Sequence, residues 1–142
     1  MENRDGMQQC YFLSASEQEE IYQRGYQLWN EGAFEQAVTC FAEIAISNPQ
    51  DRRFIFAFAC AQLQQGESLH ALKLFMHCLR LQADEPWAYF HIACCLNALG
   101  STLEARDALD ATIILCQATD SDEMNYAHLY QQAKKLLAEL SW

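Results

Sequence analysis

The chain has 142 residues, 51% of them apolar and 20% charged, and its 19 acidic side chains against nine basic ones give a formal charge of −10. That length suits one domain, able to bury roughly 68% of its unfolded surface, and the composition is that of a folded chain. The acidic balance argues against nucleic acid, whose phosphates need Lys and Arg, and against direct docking on anionic membranes.

The N-terminus, Met1-Glu2-Asn3-Arg4-Asp5-Gly6, has two acids and no apolar core after it, so no signal peptide is expected. No apolar run reaches the ~18 residues a membrane span requires. The seven cysteines are an odd number without C-x-x-C spacing, and in a chain lacking an export signal they read as reduced thiols that fill the core. A cytosolic location is expected. Residues 1–16 form an N-terminal segment in which Met7, Cys10, Tyr11 and Ser14 would line one face of a short helix.

From residue 18 to 119 the chain repeats with a period of 34. Gly25, Ala59 and Ala93 form one column, Gly32, Gly66 and Gly100 a second, Ala37, Ala71 and Ala105 a third, and Phe41, Phe75 and Leu109 a fourth. This period and pattern of small and large residues resemble the tetratricopeptide repeat, a helix–turn–helix unit that stacks into an all-α solenoid. Two prolines and five glycines leave few breaks in such helices.

The first repeat is expected at about 18–51. Its first helix would run from near Glu17 to Glu31, with Ser14–Glu17 or Ser16–Glu19 as a capping box. Gly32-Ala33 would make the turn, and Asn48-Pro49 would stop a second helix near Ser47. The second repeat, about 52–85, is entered through Asp51 as a cap, turns at Gly66-Glu67-Ser68 and ends before Asp84. The third, about 86–119, opens with Pro86 in the first turn and turns at Gly100, where Ser101 and Glu104 repeat the capping-box pattern. After the linker Asp120-Ser121-Asp122, a helix over about 123–140 carries Tyr126, Leu129, Ala133, Leu136, Leu137 and Leu140 at helical spacing. That spacing suits a helix closing the end of a solenoid.

Superposing the repeats separates packing positions from the rest. Ile21/Ile55/Tyr89 joins the small and large columns where helices touch. One residue beyond the first and second packing columns of each first helix, and four beyond the latter, lie Tyr22, Tyr26 and Trp29; Phe56, Cys60 and Leu63; and Phe90, Cys94 and Asn97. Trp87 stands one turn before Phe90. In a repeat of this kind the first helices line the concave face, so these residues are expected to form a groove. Exposed together, its aromatics would exceed the few hundred Å² of apolar patch a soluble monomer tolerates. Three of them each losing about 100 Å² to a ligand would contribute on the order of 7 kcal/mol before entropy costs. The competing expectation is that the chain's own ends cover them.

Two stretches carry a closer resemblance. Asp51-Arg52-Arg53-Phe54, Phe58-Ala59-Cys60-Ala61-Gln62 and Gly66, followed by Asp84-Glu85-Pro86-Trp87-Ala88-Tyr89-Phe90-His91-Ile92-Ala93-Cys94-Cys95-Leu96, resemble the second and third repeats of the class II chaperones of type III secretion. The resemblance covers about residues 14–116. It implies a cytosolic, bacterial, non-enzymatic protein without cofactor. Such a protein holds an extended hydrophobic segment of a secreted translocator or effector, with Tyr22, Tyr26, Trp29, Phe56, Cys60, Leu63, Trp87, Phe90 and Cys94 forming the pockets. It also implies a homodimer as a form of the chain.

Two other classes of function compete with this one. Catalysis or a metal site would have to use His77-Cys78, which are adjacent and point to different helix faces, or His91 with Cys94 or Cys95, which lack two further ligands at suitable spacing. No catalytic residue and no metal ligand are therefore assigned. A generic adaptor that clamps an acidic C-terminus would need Lys and Asn where Tyr22 and Tyr26 stand. A chaperone of the needle subunit would lack the wording of the third repeat.

Overall fold

The computed structural model describes residues 13–118 and 126–140. Among these, seven α-helices and no strand occur. They are α1 (Ala15–Asn30), α2 (Phe34–Ser47), α3 (Arg52–Gln64), α4 (Ser68–Leu81), α5 (Pro86–Ala98), α6 (Thr102–Ala118) and α7 (Ala127–Leu140). Each repeat is a hairpin, α1–α2, α3–α4 and α5–α6, and α7 packs on α6.

The helix starts follow local chemistry. Ser14 caps α1: its hydroxyl accepts from the Glu17 backbone N–H, and the Glu17 carboxylate accepts from the Ser14 N–H. Choosing Ser14 places Ser16 inside the helix, so α1 begins two residues before the expected Glu17 and the Ser16–Glu19 box does not form. Asp51 caps α3 by accepting from the Arg53 N–H, and Pro86 takes the first position of α5 as expected. Ser68 belongs to α4 rather than to the turn before it. The three hairpin turns share one geometry, with Gly32, Gly66 and Gly100 at φ 85°, 87° and 84°, a left-handed conformation that glycine alone adopts without strain. The linker at 120–122, the start of the last helix at Glu123, and Met7, Cys10 and Tyr11 lie outside the described residues.

The packing columns behave as the period requires. Gly25, Ala59 and Ala93, Ala37, Ala71 and Ala105, and Phe41, Phe75 and Leu109 are all buried, as are Ile21 and Ile55. Tyr89, the third member of that last column, is half-buried. Leu129 and Ala133 of α7 are fully buried, and Leu136, Leu137 and Leu140 lie against the cluster built on Ala59, Phe75, Ala93 and Leu109. The final helix thus continues the apolar core past the third repeat. The six described cysteines are free. Burial pushes the thiols of Cys60, Cys78 and Cys95 up to about 12, which keeps them protonated and unreactive at neutral pH. No described helix is long and apolar enough to cross a membrane.

Candidate functional site

The first helices of the three repeats stand on the same side of the stack, and α3 touches α5 directly. Where they meet, a cleft of about 310 Å³ opens, lined by Tyr22 and Tyr26 of α1, Arg52, Arg53 and Phe56 of α3, Trp87 of α5 and Glu85 just before it. The 34-residue period puts Tyr22 and Phe56 at equivalent positions, and the i, i+4 spacing puts Tyr26 on the same face as Tyr22.

The rings are held by one another and by the core. Tyr22 and Tyr26 meet edge to face with centroids 5.1 Å apart. Tyr26 leans on Phe41 at 5.1 Å and Tyr22 on Phe54 at 5.3 Å. Tyr26 remains 40% exposed, the most open of the cleft aromatics. Burial of its inner edge, and then the neighbouring Tyr22 hydroxyl, push its phenol above the ordinary tyrosine range, so it stays a neutral donor. Behind the opposite wall stands His91. Its ring is stacked on Phe75 at 5.2 Å and on Trp87 at 6.1 Å, with Phe56 at 5.5 Å and Phe90 at 5.6 Å around it. This apolar box lowers the imidazole to about 4 by burial, and its Nδ1 is buried without a hydrogen-bond partner. His91 is therefore neutral at physiological pH and acts as a flat ring joining Phe75 in the core to Trp87 in the cleft.

The charged rim comes from helix starts. Arg53 donates from Nε and Nη2 to the two Asp51 oxygens at 3.2 and 2.9 Å, reaches Glu19 of α1 at 3.2 Å, and lies over the Tyr22 and Phe54 rings. Its side-chain hydrogen bond holds the Asp51 carboxyl below the usual range. Arg52 lies over Phe56 at 5.9 Å and forms no ion pair or hydrogen bond among the described residues. Glu85 is only 6% exposed, and burial raises its carboxyl while the nearby Arg52 opposes the rise.

Of the nine residues that the sequence nominates, Tyr22, Tyr26, Phe56 and Trp87 share this cleft. Phe90 flanks it, 6.4 Å from Trp87, and is half-buried against the core. Cys60 and Leu63 are half-buried against the same cluster, Cys94 is half-buried and Asn97 is exposed. Trp29 stands apart, packed edge to face on Phe34 at 4.7 Å across the first hairpin turn. The superposition of repeats missed Arg52, Arg53 and Glu85 because they sit at or before helix starts, outside the columns compared. The one signal for them was their position, one turn before Phe56 and beside Trp87. The other histidine weighed for chemistry, His77, ties its Nε2 to the Pro49 carbonyl at 2.8 Å, while Cys78 is fully buried. Among the described residues, no group of three or more His, Cys, Asp or Glu is placed to hold a metal ion.

No protein-family model matches the sequence, and no curated protein matches it at a significant level. Solved structures do match its fold. The type III secretion chaperone SycD of Yersinia enterocolitica, solved in complex with a peptide of the translocator YopD, superposes with a TM-score of 0.80 at 21% identity, over 89% of this chain and 94% of SycD. PcrH, which is also known from Pseudomonas aeruginosa on its own, was solved with the chaperone binding region of PopD. That complex superposes with a TM-score of 0.80 at 22% identity, over 90% of this chain and 93% of PcrH. The TPR2B domain of yeast Sti1, in complex with pHsp70, superposes with a TM-score of 0.75 at 19% identity, over 87% of this chain and 94% of the domain. The fold is that of a tetratricopeptide-repeat solenoid.

Proposed function

We propose that this chain is a type III secretion chaperone that holds an extended apolar segment of a secreted translocator or effector against its first-helix face. The observation that carries the reading is the cleft in which Tyr22, Tyr26, Phe56 and Trp87 converge from three repeats. SycD and PcrH, which share the fold, were each solved with a segment of a secretion partner. A translocator's membrane-seeking segment would aggregate or insert if left free, and covering it with half-buried rings blocks both outcomes. Binding by shape and apolar burial needs no covalent step, so the protein works as a non-enzymatic, cofactor-free chaperone in the bacterial cytosol. Its partner is a protein rather than nucleic acid or membrane. Self-association belongs to the same reading, since SycD has been solved in an alternative dimer.

The test is co-purification from the native host with wild-type protein and with Tyr26→Asp, Phe56→Asp and Trp87→Asp, followed by identification of what travels with the chain. A secreted hydrophobic protein should accompany the wild type and be lost from the variants, while helix content by circular dichroism stays near wild type. A co-purifying partner retained by all three variants overturns the assignment of the cleft. The Sti1 domain favours a second reading on the same fold, an adaptor for peptide tails. Tyr22 and Tyr26 occupy positions where a clamp for an acidic tail would need Lys and Asn, and a host chaperone captured instead of a secreted protein would establish that reading.

A further inference from the structure

One cation in the cleft, Arg52, closes no ion pair or hydrogen bond among the described residues, although Glu85 and Asp51 lie near enough to feel its charge. Arg53 is already paired: both Asp51 oxygens and both Glu19 oxygens lie within reach of its guanidinium. Arg52, its neighbour, has no acceptor for its N–H donors among the described residues, although it is half-buried and laid over the Phe56 ring. A guanidinium resting against an aromatic face keeps its planar fork of donors free to receive a carboxylate. Glu85, the one carboxylate lining the cleft among the described residues, does not close an ion pair with it.

We infer that the segment this cleft receives carries an aspartate or glutamate side chain beside its apolar anchor, and that Arg52 selects it. This rests on the proposed function, because it assigns chemistry to the client of the same cleft. The anchor would lie among Tyr22, Tyr26, Phe56 and Trp87, and the carboxylate would meet the guanidinium over Phe56 at the rim. The overall charge of −10 does not prevent this, since exposed charges farther away than about 8 Å are largely screened at physiological ionic strength. A single carboxylate at Arg52 gains a local partner, whereas a run of acids would meet Glu85, Asp51 and Glu19 as well.

The experiment selects nine-residue peptides from a random library displayed with blocked C-termini on the full-length protein. The selected peptides are then made with the acid replaced by Asn and measured by fluorescence anisotropy. Selected peptides should pair an apolar residue with Asp or Glu within two positions, and the Asn version should bind about threefold to tenfold more weakly at low salt. With Arg52→Gln the acid and Asn versions should bind alike, and Arg52→Lys should restore part of the difference. Apolar selection without acid enrichment, or an acid preference that survives Arg52→Gln, overturns the inference and leaves the cleft assignment standing. Peptides selected without any apolar residue sink both. A parallel arm offers the same peptides with free C-termini: a preference for the terminal carboxylate over the side chain also overturns the inference. Circular dichroism of both Arg52 variants separates lost recognition from lost fold.

Discussion

Gly25 is where the packing of the first repeat and the shape of the cleft depend on one another. A Cβ on this residue would lie 2.5 Å from Cε1 of Phe41 and 2.9 Å from its Cδ1 and Cζ. Phe41 is 2% exposed and cannot swing into solvent, and its ring supports Tyr26 at 5.1 Å and Tyr22 at 6.4 Å. In the second repeat Ala59 takes the equivalent position and is fully buried in the same cluster as Phe75, so a methyl group there is tolerated. The first hairpin is packed more closely. Gly25→Ala should therefore separate α1 from α2 or push Phe41 towards the tyrosines.

The sign follows from two magnitudes. Alanine in a helix interior is favoured over glycine by about 1 kcal/mol, while overpacking a buried contact costs about 1–3 kcal/mol. The variant should be less stable by about 1 kcal/mol, a drop of roughly 3–6 °C in Tm for a domain of this size. Because Tyr22 and Tyr26 lean on Phe41, client or peptide affinity should also fall although no cleft residue is changed. Phe41→Leu removes the ring atoms that clash, so Gly25→Ala with Phe41→Leu should lose less than the sum of the two single losses, with a coupling above about 0.5 kcal/mol. Thermal unfolding followed by circular dichroism, alongside peptide anisotropy, measures both effects. A Tm that rises in Gly25→Ala with affinity unchanged would refute the close-packing argument.

His91→Phe tests the buried imidazole. The folded value near 4 lies below the unfolded value near 6.5, so the unfolded chain binds a proton that the folded chain does not. Stability should then fall as pH drops from 6.5 to 4, by at most about 3 kcal/mol, and this part of the slope should be absent in denaturant titrations of His91→Phe. Gly66→Ala puts a side chain at φ 87° and should cost about 1–2 kcal/mol by urea unfolding although the space around it is open. Asp51→Ala removes the α3 cap and the Arg53 partner together and should cost about 1 kcal/mol, whereas Asp51→Asn keeps a cap acceptor and should cost less. Since the Asp51 carboxyl is held low, the gap between wild type and Asp51→Asn should persist at neutral pH and close as pH falls through that lowered value.

The sequence made the scaffold legible because a 34-residue period repeats the same packing demand three times. Small residues at Gly25, Ala59 and Ala93 and large ones at Phe41, Phe75 and Leu109 read out helix contacts directly. The site was legible only in part. Tyr22, Tyr26 and Phe56 follow from the columns, and Trp87 from its place one turn before Phe90. Trp29 was misplaced because it sits in the last turn of α1, where the hairpin folds Phe34 back onto it, a local contact that superposing repeats does not reveal. His91 shares a helix face with Cys94 and Cys95, yet its neighbours in space are rings from positions 56, 75, 87 and 90, the first two of them distant in sequence. A periodic pattern states which face a residue occupies, while the identity of its partners across helices depends on how neighbouring repeats rotate against each other.

That distinction bears on how the cleft can bind. Rings standing free on a surface would have to be ordered by each ligand, at a cost of about 0.5–1.5 kcal/mol for each immobilised side chain. Here Tyr26 rests on buried Phe41, Phe56 meets buried Phe75 at 5.4 Å, and Trp87 stacks on His91, which itself stacks on Phe75. Each ring that faces the cleft is braced by one that does not. The bracing reduces exposed apolar area in the empty protein and leaves less freedom to lose on binding. The chaperone role proposed above would require a chain that stays dispersed until a client arrives, and half-buried rings suit that requirement.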